Sequence, residues 1–146
     1  MGRHLPTAIL ASYLVLIQDG KVLLARRVNT GYRDGFYSVP AGHVEAGESF
    51  TEALIREARE ETGIHLRPEH LIVSHVIHRK AEDGSERVEV FYNATAWEGS
   101  IQNLEPEKCD DLSWFHLTAL PENIIPYMRH VIENIKKQVF YSEYGW

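Results

Sequence analysis

The chain has 146 residues, one domain's worth, and its 44% hydrophobic and 25% charged content sits at the globular average, which excludes disordered and low-complexity classes. A formal charge of −6, from 15 Lys and Arg against 21 Asp and Glu, excludes the broad basic surface that a nucleic-acid backbone or an anionic membrane requires. The expected partner is therefore a small molecule, with no nucleic acid and no membrane, and a polyanionic one would need local arginines or metal ions.

In chain order, the apolar run at 7–17 is too short to cross a bilayer and reads as a buried first strand. Residues 8–17 and 22–25 flank Gln18, Asp19, Gly20 and Lys21, and the Asp-Gly pair marks a hairpin turn, so the two runs are expected to pair. Residues 29–35 form a loop, and 36–39 a short extended piece ended by Pro40. From Ser49 the pattern turns helical. Ser49, Phe50, Thr51 and Glu52 match a capping box, and Gly63 suits the left-handed position that ends a helix. Leu54, Ala58 and Thr62, with Ile55 beside them, supply its packing side.

Residues 71–80 and 87–97 are rich in β-branched and aromatic side chains and are joined by Glu82, Asp83, Gly84 and Ser85, which predicts a second hairpin. Beyond a polar loop at 98–110, residues 112–117 read as a strand, with Trp114 and Phe115 packing the last helix against the sheet, one ring on each face. Residues 124–141 show helical periodicity through Tyr127, Val131, Ile135 and Val139, with Pro126 in the first turn. The lone cysteine, Cys109, cannot close an internal disulfide, so the cytoplasm is the expected compartment. Without repeat or linker, this order predicts one α+β domain over residues 1–146, an α/β/α sandwich with helices covering a mixed sheet.

The chemistry concentrates where a glycine-bearing loop runs into the capped helix. At 100° per residue Glu57, Glu60 and Glu61 share one sector of that helix. Two unit charges about 5 Å apart repel by roughly 3 kcal/mol at an effective dielectric near 20, so the cluster costs stability unless a cation or an arginine answers it. Hard oxygens on a helix suit Mg²⁺ or Mn²⁺, which also bind phosphate. Arg56, four residues from Glu60, is placed to pair with a cluster carboxylate and hold it; Glu48 can contribute through a metal-bound water or an arginine contact. An ordinary solvated helix face with surface pairs is the other reading of the same spacing.

Gly42, five residues, Glu48, seven residues, Arg56, Glu57, an aliphatic, one residue, Glu60, Glu61, one residue, Gly63 and a final aliphatic resemble the signature of the Nudix hydrolases at every fixed position. Ala58 is smaller than the bulky aliphatic usual at its place. The resemblance implies the sandwich fold and metal-dependent attack of water on a diphosphate linkage of a nucleotide. It also implies roles. Glu57, Glu60 and Glu61 would be metal ligands together with the Ala41 carbonyl, and Glu57, Glu60 and Arg56 would make up the catalytic set, with Glu57 orienting or deprotonating the water. Gly42, Glu48 and Gly63 would support them.

A further acid from the loop before the last strand completes the metal site in several relatives; Glu107 is the first choice here and Glu105 the second, with a solvated acidic loop as the alternative. The segment at 105–108, followed by Trp114 and Phe115, is similar to MutT-like enzymes that cleave nucleoside triphosphates to monophosphate and pyrophosphate. By the same resemblance Arg27 would touch phosphate, with Arg26 pointing to the opposite side, and Ser38 would read a base. Phe36, Tyr32, Tyr92 and Trp97 are candidates to stack on one. His43, His75 and His78 lack the spacing of a metal site. The acidic pair of relatives acting on oxidised purines has no counterpart at Pro126, Tyr127 and Met128. Nucleotide sugars and dinucleoside polyphosphates are the alternative substrates, a nucleotide-sensing domain without turnover the alternative class, and a homodimer the assembly expected by analogy.

Overall fold

The computed structural model describes residues 3–146. Its strands are β1 (Ile9–Leu14), β2 (Ile17–Gln18), β3 (Lys21–Arg27), β4 (Tyr37–Ser38), β5 (Ala41–His43), β6 (Leu71–Lys80), β7 (Glu86–Ala94), β8 (Cys109–His116) and β9 (Tyr141–Tyr144). Its helices are α1 (Phe50–Thr62) and α2 (Pro126–Lys136). A five-stranded sheet runs β5-β1-β7-β6-β9; it is mixed, because β1 pairs β7 and β6 pairs β9 in parallel while the other pairs are antiparallel. In the second sheet β3 carries β2 and β4 along one edge and β8 along the other.

Strand alternation sends neighbouring side chains into two different cores, which makes the sandwich. Ala11, Tyr13 and Val15 join Phe91, Ile77 and the α2 residues Met128, Val131 and Ile132. Leu14 and Leu16 instead join Val90, Tyr92 and the α1 residues Leu54 and Ala58. Burial of each such aliphatic side chain stabilises the fold by about 1.5–3 kcal/mol. Ala58 is almost fully buried against this second core, so its small size lets α1 approach the sheet closely.

Three expectations need correction. The first apolar run does not form one long hairpin with the second. Only Ile17 and Gln18 pair with Val22 and Lys21, around Asp19 and Gly20 in left-handed conformation, whereas Ile9–Leu14 pairs with β5 and β7 in the other sheet. Every residue from Ala11 to Leu16 is buried, so an unbroken apolar run serves two sheets in succession.

The last helix stops at Lys136, and residues predicted as its end reverse through Gln138 at φ 58° and return as β9 beside β6. Trp114 and Phe115 do fall on opposite faces of β8, but only Phe115 packs in the α2-side core, edge-on to Tyr37 at 5.0 Å; Trp114 is 36% exposed. Elsewhere the predicted positions hold: β6 spans the predicted 71–80, and β7 and β8 lie within a few residues of their predicted bounds.

Candidate active site

The geometry of α1 begins with its caps. Ser49 Oγ accepts from the Glu52 amide at 3.1 Å and Glu52 Oε1 accepts from the Ser49 amide at 3.0 Å, the predicted capping box, worth about 1 kcal/mol. Gly63 closes the helix at φ 78°, as predicted. Buried Leu54 and Ala58 fix the helix rotation, which carries Glu57, Glu60 and Glu61 past the β5 edge of the sheet. There all three line a cleft of about 950 Å³.

Arg56 is the hub of the acidic cluster. Its Nε and Nη2 donate to the two carboxylate oxygens of Glu48 at 2.7 and 2.9 Å, Nη1 donates to Glu57 Oε1 at 2.7 Å, and Glu60 Oε2 lies 3.5 Å from Nη1. Nη2 also donates to the His43 carbonyl at 3.2 Å, which ties α1 to the end of β5. This grip holds the Glu48 carboxyl down to about 2, with the Glu45 amide adding to the effect. Glu48 thus acts as the counter-ion that orients Arg56, and Arg56 in turn orients Glu57.

Two carboxylates are left poorly compensated. Burial pushes Glu57 upward against the pull of Arg56, with Glu60 and Glu105 adding repulsion. Burial raises Glu61 well above the carboxylate range, helped by Glu57, while its one protein donor is the Ala41 amide at 3.1 Å. In a strand the N–H and C=O of one residue point to the same edge, and Leu14 donates to the Pro40 carbonyl rather than to Ala41. The Ala41 carbonyl therefore faces the open edge beside Glu61.

Gly42 explains the close fit: a Cβ there would lie 2.1 Å from Glu57 Cδ, so only glycine lets Glu57 occupy its place. Among the described residues no three of these side chains converge at metal-ligand spacing as they stand. The donor set nevertheless fits a hard divalent cation: carboxylates, a carbonyl, and more negative charge than Arg56 answers.

Other predicted residues divide. Ser38 is buried and lines the cleft, as does Tyr32. Arg27 lines it, yet its guanidinium is spent on its own loop, donating to the Tyr32 carbonyl at 2.8 Å and to Thr30 Oγ1 at 3.1 Å. A bulge between Arg26 and Arg27 breaks the alternation, so Arg26 also reaches the cleft, paired with Asp110 at 2.7 Å. Phe36 is outside the cleft, packed on the α2-side core under Arg33. Tyr92 and Trp97 belong to the α1-side core, Tyr92 bonding Thr51 at 3.2 Å. Glu107 does not line the cleft; Glu105 does, near enough to Glu57 and Glu61 to raise both. His43 lines the cleft, while His75 and His78 are engaged elsewhere, with Ser142 and Trp146.

Sequence reasoning missed a second polar group in the same cleft. Arg79 Nε and Nη2 donate to Glu89 at 2.8 and 3.2 Å, Tyr13 donates to Glu89 at 2.6 Å, and Tyr127 lies 3.0 Å from Tyr13. Glu89 is fully buried. The available signal was a charged residue on each of two strands, Arg79 and Glu89, two positions from the apolar Ile77 and Phe91 that the alternation turns into the core.

Comparisons with known proteins find relatives of this chain. A family model described as NUDIX domain matches residues 8–135. The chain is 34% identical over 110 residues to the NAD-capped RNA hydrolase NudC of Stutzerimonas stutzeri, covering 75% of this chain and 37% of that protein. It is 30% identical over 121 residues to the human 8-oxo-dGDP phosphatase NUDT18, covering 81% and 35%. The chain thus spans well under half the length of these curated relatives. Among solved structures, a MutT NUDIX hydrolase from Burkholderia pseudomallei superposes with a TM-score of 0.78 at 27% identity, covering 87% of this chain and 97% of that one.

Proposed function

The chain belongs to the Nudix hydrolase family, and from that premise we propose that it hydrolyses a diphosphate linkage in a nucleoside triphosphate or related nucleoside diphosphate derivative, giving nucleoside monophosphate and pyrophosphate from a triphosphate. The observation that carries this reading is the acidic cluster itself. Glu57, Glu60 and Glu61 crowd one mouth of the cleft beside the outward edge of Ala41, with a single arginine to offset them.

In this reading Glu57, Glu60, Glu61 and the Ala41 carbonyl would hold Mg²⁺ or Mn²⁺, and Glu105 would take the place expected for Glu107. Such an ion lowers the pKa of a bound water and offsets charge on phosphate oxygens. Glu57 is the residue placed to orient or deprotonate the attacking water: it is partly buried, its carboxyl is raised by that burial, and it is held at one oxygen by Arg56, which leaves the other free. Arg56 and Glu48 position Glu57. Arg27 and Arg26 in the cleft walls supply positive charge toward the phosphates, and Ser38 and Tyr32 border the remainder of the ligand.

The relatives named for NAD-capped RNA support a second substrate class, a dinucleotide joined through a diphosphate, with the same bond broken. A panel of nucleoside triphosphates, nucleotide sugars and dinucleotides, assayed with Mg²⁺ and Mn²⁺ for product identity, separates the classes. Glu57→Gln is expected to lower turnover by a factor on the order of 10² or more while the protein stays folded. Unchanged turnover in that variant would reject the assignment of Glu57, and binding without products across the panel would reject hydrolysis.

A further inference from the structure

The floor of the cleft is one face of the five-stranded sheet. Ala41 and His43 on β5, Ala11 and Tyr13 on β1, Arg87 on β7 and Arg79 on β6 all line it, and the register places them across the sheet in successive rows. The acidic cluster lies at the β5 edge. Arg79 reaches from β6 back to Glu89, which pairs directly with Ala11. Its guanidinium therefore lies two to three strand spacings from the cluster edge, on the order of 10 Å, which leaves room for a sugar and a base in between.

Arg79 is 5% exposed, yet it lines the cleft. Its Nε and Nη2 are spent on Glu89, and its plane lies over the Tyr127 ring with Cζ 3.8 Å from the centroid. Nη1 has no protein partner among the described residues. No side-chain nitrogen or oxygen among them is both buried and unpartnered, so Nη1 is the edge through which Arg79 meets the cleft. The guanidinium is locked in plane and orientation by Glu89, Tyr13 and Tyr127 together. A buried ion pair contributes little net stability for its desolvation cost, so stability alone gives weak grounds for this arrangement. Because Glu89 already answers its charge, Arg79 offers a fixed neutralised donor, suited to a carbonyl oxygen rather than to a phosphate.

We propose that Arg79 is a specificity-determining residue whose Nη1 donates to a carbonyl oxygen on the base of the bound nucleotide. The proposal rests on the reading of the cleft as a nucleotide site and deepens it. A polar donor buried at one end of a site discriminates strongly, since a ligand without the matching acceptor leaves it unpaired.

The test is nuclear magnetic resonance of the arginine Nε–Hε groups in the intact protein, with the Arg79 signal assigned by its loss in Arg79→Lys. GMP, CMP and UMP carry base carbonyls, AMP carries none, and ribose 5-phosphate lacks a base. The Arg79 signal is expected to move with at least one of the first three and to stay in place with AMP and ribose 5-phosphate. In turnover assays Arg79→Lys should lower kcat/KM for the matching triphosphate at least tenfold, through KM, and narrow its advantage over ribose 5-triphosphate. The proposal is overturned if other cleft signals move while Arg79 does not, if AMP and ribose 5-phosphate move it equally, or if the variant loses the same factor on both substrates. A carbonyl-dependent shift at Arg79 without turnover of any compound would sink hydrolysis and leave this assignment standing.

Discussion

Glu61 shows best how one residue can trade stability for chemistry. Its carboxyl is raised by burial and by Glu57, with the Ala41 amide as its single protein donor. A raised folded pKa means that its contribution to stability is fully present below the unfolded value and is lost as pH rises through the folded one. At neutral pH without metal the residue therefore destabilises the protein. Glu61→Gln is expected to raise the melting temperature of the metal-free protein at pH 7 by a few degrees and to abolish most of the further rise that Mn²⁺ gives the wild type; calorimetry with and without Mn²⁺ checks both. At this scale the sequence was informative where spacing on one helix decides the outcome: Glu57, Glu60 and Glu61 face the same cleft from α1, and Arg56 pairs with Glu57 and Glu60. It was uninformative where loop path decides, as with Glu105 against Glu107, or where the partner lies far along the chain, as with Arg79 and Tyr127.

Elements differ in how much of their placement is local. The capping box, the Asp19-Gly20 turn and the β6–β7 hairpin are written in a few adjacent residues, and all three appear as read. The departure of β1 into another sheet, the bulge at Arg26 and the return of the C-terminus as β9 depend on contacts with distant strands. No local pattern records these.

The seam that holds β9 is itself unusual. Ser142 on β9 lies 2.7 Å from His75 Nε2 on β6 and 3.0 Å from His130 Nε2 on α2, while His75 Nδ1 meets the Val139 carbonyl at 2.7 Å. Burial lowers both histidines, and their mutual repulsion lowers His75 further. Histidines kept neutral in the fold leave stability intact above the ordinary value of about 6.5 and remove it as pH falls through their lowered folded values. Hydrogen exchange corrected for intrinsic rate should therefore show β9 amides losing protection several-fold between pH 7 and pH 5, ahead of β1 and β7. Loss in step with those strands would show that the seam carries no such linkage.

For the whole molecule, the net charge of −6 does not describe how charge is arranged within the cleft. Arg26, Arg27, Arg79 and Arg87 lie along the same walls as the carboxylates, so the site holds positive charge beside its acidic cluster. The sheet supplies the floor, α1 the acids at one edge, and α2 the Tyr127 ring at the other end, which is why the two helices lie on opposite faces. Among the described residues no helix is long and apolar enough to cross a membrane.

The measurement that bears most directly on this account is the anomalous scattering of Mn²⁺ diffused into crystals of the unmodified protein. The account predicts a peak at bonding distance from carboxylate oxygens of Glu57, Glu60 and Glu61 and from the Ala41 carbonyl. A crystal in which those oxygens stay bound to Arg56 and the Ala41 amide, with manganese absent or held elsewhere, would contradict it.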